Sequence, residues 1–312
     1  MLLERILLGG IIRKKSNRDF RRIMDTISQF EPEPEEWDLV IEPQKKWWDL
    51  QLREIWHYRD LIGLFVRRDF VSRFKQTILG PLWFFIQPLF TSLTFTVIFG
   101  NIAKLPTDGL PQFLFYMSGT LLWNYFSNCL TSTADTFLSN AGIFGKVYFP
   151  RLVTPISILI SNLISFSIQF IFFIGFLVYF VLSGSNVHLT TWALAFPLLL
   201  LLMAGQGLGL GIIISSMTIR YRDLRYLVSF GVSLWMYATP VIYPVSSIPE
   251  KFRWIADINP IAPIVEIFRL GFLGAGDASW IRLGYSVAFM VVVMFIGLVI
   301  FNRVEKTFID TV

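Results

Sequence analysis

The stretch VRRDFVSRFKQTILGPLWFFIQP, residues 66–88, changes character in its middle. Its first half interleaves arginines with phenylalanines, and beyond Gly80-Pro81 no charged residue follows until Lys104. Upstream, from Trp47 to Lys75, apolar residues recur at helical spacing (Ile55, Tyr58, Ile62, Phe65, Val66, Phe70, Phe74), while His57, Asp60, Arg67, Arg68 and Lys75 fall to the other side. This pattern predicts an interfacial helix over 47–79 that lies on a membrane surface and turns at Gly80-Pro81, where the glycine frees the backbone and the proline starts a spanning helix.

Downstream the composition agrees. The chain is 54% hydrophobic and 16% charged with a mean hydropathy of +0.59, too apolar for a water-solvated globule of 312 residues. Six uninterrupted apolar runs, 82–101, 112–133, 152–182, 192–217, 226–243 and 283–301, contain no Asp, Glu, Lys, Arg or His. Runs of this length predict helices, because barrel strands are shorter and alternate in polarity. The expected fold is therefore an all-α polytopic membrane protein. It has six transmembrane helices over 80–301, preceded by the interfacial helix and followed by a short tail, 302–312.

Lysine and arginine give the orientation. Arg59, Arg67, Arg68, Arg73, Lys75, Lys146, Arg151, Arg220, Arg222, Arg225, Arg303 and Lys306 fall on one side of the predicted spans; Lys104, Lys251, Arg253, Arg269 and Arg282 fall on the other. Twelve against five places both termini in the cytoplasm. The net charge of +5 is mostly this bias and is no sign of nucleic-acid binding. No cleavable leader is expected, since LLERILLGGII is interrupted by Glu4-Arg5. Residues 1–46 read as a flexible extension with segregated charge: seven bases and two acids over 1–22, seven acids and no base over 23–44. The lone Cys129 reads as a buried thiol.

The spans offer no carboxylate or histidine for ion coupling. The chain also lacks a GxxxxGK[ST] loop, a His/Cys metal cluster, and a nucleophile paired with a base. It reads as a non-enzyme, either passive or powered by a partner. The arginines of 59–75 suit an anionic head group, because guanidinium presents forked donors to phosphate; an ordinary snorkelling anchor would look the same. Two loops suit a partner. DTFLSNAGIFGKVYFPR, 135–151, carries Phe137, Leu138, Ile143 and Phe144, expected to be exposed as a docking knob beside Lys146; TIRYRDLRY, 218–226, carries Arg220, Arg222 and Asp223. Positive-inside loops would also account for both. Aromatics crowd the spans, among them Trp83, Phe84, Tyr116, Trp123, Tyr125, Trp235 and Tyr237. They suit either the lining of a glycan path or interfacial filler.

The order WDLQLREIWHYRDLIGLFVRRDFVSRFKQTILGPLWFFIQPLF, then NAGIFGKVYFPR, then RYRDLRYLVSFGVSLWMYATPVIYPVSSIPEKFRWIADINPIAPIVEIFR resembles the membrane subunit of polysaccharide exporters of the ABC-2 group. The resemblance runs from about Ile41 to the C-terminus. It implies a dimer of this chain above two copies of a cytoplasmic ATPase that holds ATP and Mg, with no cofactor on this chain. It implies that 137–149 is the coupling region and RRDFVSRFKQ a gate helix beside a lipid-diphosphate-linked glycan. It also implies two short re-entrant helices within 244–281. A small-lipid or drug exporter, a passive scramblase and a scaffold remain the other readings.

Overall fold

The computed structural model describes residues 52–309 apart from 145, 148 and 220. The extension 1–46, Arg220 and the last tail residues thus lie outside the described residues, which are helical with no strand among them. The segment expected to be interfacial forms α1 (Leu52–His57) and α2 (Arg59–Phe74). The predicted stripe holds, since Ile55 and Phe65 are buried and Tyr58, Ile62, Val66, Phe70 and Phe74 half-buried. The helix is broken at Tyr58 and ends at Phe74 rather than 79, so the turn begins at Lys75 and closes at the expected Gly80-Pro81. Gln76 and Gly80 take φ of 64° and 51°, and a 3-10 turn, Gly80–Leu82, carries Pro81 into α3 (Trp83–Phe95). A π-helix, Thr96–Ile102, extends α3.

The remaining elements are α4 (Gln112–Ala134), the short α5 (Thr136–Ser139) and α6 (Ala141–Phe144), α7 (Val153–Leu182), α8 (Phe196–Thr218) and α9 (Leu224–Tyr237). After them come α10 (Arg253–Ile258), α11 (Ala262–Leu273) and α12 (Trp280–Ile309). Among the described residues four helical stretches are long and apolar enough to cross a membrane: Gly80–Ile102, Val153–Leu182, Thr191–Thr218 and Trp280–Arg303. The two other predicted runs differ from these for physical reasons. Helix α4 is long enough but carries Gln112, Ser118, Thr120, Asn124, Ser127 and Asn128, and it lies at the centre of the bundle against α3, α7 and α8. A helix covered by its neighbours has less need of lipid-compatible side chains. Helix α9 ends at Tyr237 rather than continuing to 243. Its 14 residues span about 21 Å, short of a hydrocarbon core of roughly 30 Å.

Helix α8 is clamped between α4 and α12 by glycines. In GQGLGLG, 205–211, two stripes with i,i+4 spacing interleave on different faces. A Cβ on Gly207 would lie 2.8 Å from Cys129 Cβ and one on Gly211 2.6 Å from Thr133 Cβ, both on α4. A Cβ on Gly205 would meet Met290 at 2.5 Å and one on Gly209 the Met294 backbone at 2.9 Å, both on α12. Backbone and Cβ atoms of packed helices cannot retreat as a flexible side chain can. Gly211→Val is accordingly expected to reduce detergent-extracted folded protein at least about fivefold, against near-normal yield for Gly231→Ala, where a Cβ meets open space. Fluorescence-detected size-exclusion chromatography checks both.

Candidate functional site

The cationic helix α2 lies along α7, its apolar face held by edge-on aromatics: Phe65 to Phe149 at 5.7 Å and Phe74 to Phe84 at 4.7 Å. Interleaving arginines with these rings puts the cations at the rim of the packed layer. Arg67, Arg73 and Lys75 are exposed, and the Arg59 side chain is mostly so. Arg68 is engaged, 2.8 Å from Asp69 and over the Phe65 ring at 4.6 Å. Arg73 reaches inward to Ser165 Oγ, 3.5 Å away, with its guanidinium 5.8 Å from the Phe84 ring.

Two cavities meet at Arg73, Phe84 and Ser165. The first, of about 350 Å³, lies beneath α2 and is bordered by Asp69, Ser132, Ser161 and Asn162. The second, of about 420 Å³, runs between α3, α4 and α7 past Trp83, Gln87, Asn124, Asn128 and Gln169. Of the aromatic residues predicted to line a path, Trp83 and Phe84 border this second cavity. Tyr116, Trp123 and Tyr125 do not face open space. The central position of α4 covers them, with Tyr116 beside Phe95 and Phe99, Trp123 beside Trp235, and Tyr125 on Phe166. Trp235 is half-buried in the same contact, and Tyr237 is exposed at the end of α9.

The predicted knob on α5 and α6 requires a similar correction. Phe137 and Phe144 are not exposed; they are buried with Ile55, Phe65, Phe149, Leu152, Ile212 and Phe301. Rings of Phe137 and Phe301 stand 5.1 Å apart, and Phe137 and Phe144 5.9 Å. An amphipathic four-residue helix shows which residues share a face but not whether that face turns outward, and here it turns onto α8 and α12. Leu138 and Ile143 are half-buried, while Lys146, Val147, Arg222 and Asp223 are exposed. Arg225 sits 3.6 Å from Asp135 and so ties the start of α9 to the end of α4.

At the other end of the bundle α9 stops at Tyr237, and the Thr239-Pro240 break leaves carbonyls without helical partners. Arg269, on α11 and 1% exposed, supplies them. It donates to Pro240 O at 2.6 Å, Val241 O at 2.7 Å and Ser118 Oγ at 3.2 Å, with its plane 3.6 Å over Phe115. Glu266 follows at 3.7 Å. Burial pushes the Glu266 carboxyl above its ordinary range while Arg269 pulls it back, and burial lowers Arg269 to about 10, still cationic at neutral pH. Asn259 completes the clamp by donating to Ala238 O and Thr239 Oγ1. Arg269, expected as an outer-loop cation, is instead an internal clamp. The close approach of Gly119, where a Cβ would lie 2.8 Å from both Arg269 Nη2 and Val241 O, makes room for it.

A family model described as ABC-2 type transporter matches residues 60–273, which include α2, both cavities and the clamp. Two forms of the O-antigen export system permease protein RfbA of Klebsiella pneumoniae are 29% and 30% identical, each over 80% of this chain and 94% of the relative. The polysialic acid transport protein KpsM of Escherichia coli is 24% identical over 78% and 93%. With the family model covering the chain from the cationic helix to the end of α11, and relatives aligned over nearly their whole length, this protein belongs to the ABC-2 type transporter family.

Proposed function

We propose that this chain is the transmembrane subunit of an ATP-driven exporter. It moves lipid-diphosphate-linked polysaccharide, of the O-antigen kind, from the cytoplasmic to the outer side of a bacterial cytoplasmic membrane. The observation that carries the reading is the exposed cationic face of α2 beside a polar cavity that leads into an apolar bundle. A diphosphate between an apolar lipid and a glycan needs such a junction, with guanidinium donors at the bilayer surface and polar groups above them. The names of the relatives, O-antigen export and polysialic acid transport, support the same substrate class.

In this reading α3, α4, α7, α8 and α12 are five of the six spans, α9 together with the broken segment 238–243 that follows it is the sixth, both termini are cytoplasmic, and α2 is the gate helix. Helices α10 and α11 are re-entrant near the outer exit, where irregular backbone is tolerated because the Arg269 clamp satisfies it. Two copies assemble above two copies of an ABC ATPase that binds ATP and Mg. That partner presses on the surface of Lys146, Val147, Arg222 and Asp223, while α5 and α6 pass the displacement through their buried phenylalanines to α8 and α12.

The test is ATP hydrolysis by the reconstituted pair of subunits, with and without lipid-diphosphate-linked glycan. Stable assembly and turnover that rises with the glycan lipid support the exporter. Lipid crossing without ATP, and no assembly, would make the chain a scramblase. Arg67→Ala with Arg68→Ala is expected to lower surface glycan more than about tenfold while insertion and ATPase association persist. Wild-type surface glycan in that variant refutes the head-group role.

A further inference from the structure

Three helices bring polar residues one turn apart to the same cavity: Gln87 and Thr91 from α3, Asn124 and Asn128 from α4, Ser165 and Gln169 from α7. On α4 and α7 the stripes continue through Ser132 and Ser161 into the cavity beneath α2. The track therefore covers nine residues on α4 and on α7, eight steps and about 12 Å of rise. Ser161 Oγ is buried without a partner, while Thr91 Oγ1 bonds locally to Gln87 O and Ser165 Oγ to Ser161 O. The four amides do not: no hydrogen bond joins the side chains of Gln87, Asn124, Asn128 and Gln169 to another described residue.

Gln87 and Asn128 are exposed on this crevice and Asn124 and Gln169 half-buried, and amides without protein partners on such apolar helices need a polar occupant of the crevice, water or ligand, to meet their donors and acceptors. They are suited to a ligand that carries both donors and acceptors. Each amide offers two N–H donors and one carbonyl acceptor, which matches sugar hydroxyls. Trp83 and Phe84 border the cavity and supply apolar faces for a ring. Among the described residues Arg73 is the one charged residue on the 420 Å³ cavity, at its α2 end, and the acid of the adjoining cavity, Asp69, is already paired with Arg68. The volume lies in the range of small-molecule sites, about 300–1,000 Å³.

We infer that this crevice, within a single subunit, binds the first sugar of the glycan, the one joined to the diphosphate. The amides hold its hydroxyls, Trp83 packs on its face, and Arg73 takes the adjacent phosphate. A neutral, amide-lined crevice orients the sugar without the tight charge pairing that would retard its departure. This assignment rests on the exporter reading and adds to it a determinant of which lipid diphosphates are accepted.

The experiment uses the full-length chain with its ATPase partner in nanodiscs and two probes, a polyprenyl diphosphate bearing one N-acetylhexosamine and the same polyprenyl diphosphate without sugar. Native mass spectrometry is expected to show the sugar-bearing probe held about tenfold more tightly. Asn124→Leu, Asn128→Leu and Gln169→Leu together are expected to abolish that preference, leave binding of the bare diphosphate unchanged, and melt no lower than wild type, because no internal hydrogen bond is lost. Arg73→Gln is expected to weaken both probes. Equal binding of both probes to the wild type, or a triple variant that keeps the preference, overturns the crevice assignment and leaves the exporter reading standing. Binding of neither probe, with no stimulation of hydrolysis by either, overturns both.

Discussion

Arg269→Met is expected to remove folded protein almost completely, and adding Glu266→Gln to restore a substantial part of it. Methionine keeps much of the volume but leaves the carbonyls of Pro240 and Val241 and the Glu266 carboxylate in apolar surroundings without their donor. Breaking a buried charged network by removing one member costs about 3–5 kcal/mol, because the other member stays buried and uncompensated. Marginal stabilities of about 5–15 kcal/mol leave little beyond that. Glu266→Gln removes the orphaned charge but not the orphaned carbonyls, so recovery is partial. Arg269→Lys separates charge from geometry. Its single ammonium cannot serve two carbonyls and Ser118 at once, and it should fall between wild type and Arg269→Met in thermal melts followed by size-exclusion chromatography. Unchanged melting of Arg269→Met would show that the clamp contributes nothing to holding the Thr239-Pro240 break.

How much of this was readable from the residues depends on whether the deciding contact is local. The turn from α2 into α3 was, because Gly80-Pro81 and the end of the charges sit within one stretch. The α2 stripe was too, since helical period alone sorts Phe65 from Arg67. The membrane character of α3, α7, α8 and α12 followed from apolar length. Burial against a neighbour did not. The same apolar pattern serves a lipid-facing helix and a central one, so Tyr116, Trp123 and Tyr125 passed for path-lining residues although α4 packs them inside. Arg269 shows the sharper limit. Its role depends on carbonyls 28 and 29 residues away in sequence, which nothing near it announces. Two further signals lie in the sequence itself. GQGLGLG contains two interleaved GxxxG stripes, and the one-turn pairs Gln87/Thr91, Asn124/Asn128 and Ser165/Gln169 recur in three separate apolar runs, where polar pairs need a reason.

Phe144→Asp and Val147→Asp, three residues apart, are expected to fail in opposite ways. Phe144 is 8% exposed, with Phe137 and Phe149 at 5.9 and 5.7 Å and the Arg151 guanidinium 5.6 Å from its ring. A carboxylate there must be desolvated among phenylalanines or must prise α6 away from α8 and α12. Either costs several kcal/mol, and the expected result is a chain that does not accumulate in the membrane at all. Val147 is 57% exposed and beside exposed Lys146. An aspartate at 147 burdens no packing, so the chain should insert, extract and melt like wild type. If the partner ATPase seats on this surface, however, Val147→Asp with Lys146→Glu reverses the local charge and should lower co-purified ATPase by about tenfold or more. Phe144→Leu discriminates further: it preserves an apolar filling, costs about 1–3 kcal/mol as lost ring contacts, and should retain the ATPase whenever the chain itself is retained. A Phe144→Asp chain that accumulates and melts normally would mean that the phenylalanine faces outward in the assembled protein. A Val147→Asp, Lys146→Glu chain with full ATPase and full glycan export would move the docking surface away from this loop, toward Arg222 and Asp223. Since Arg225 at the start of α9 sits 3.6 Å from Asp135 at the end of α4, force applied at Arg222 and Asp223 would then reach the central helix directly, without passing through α5 and α6.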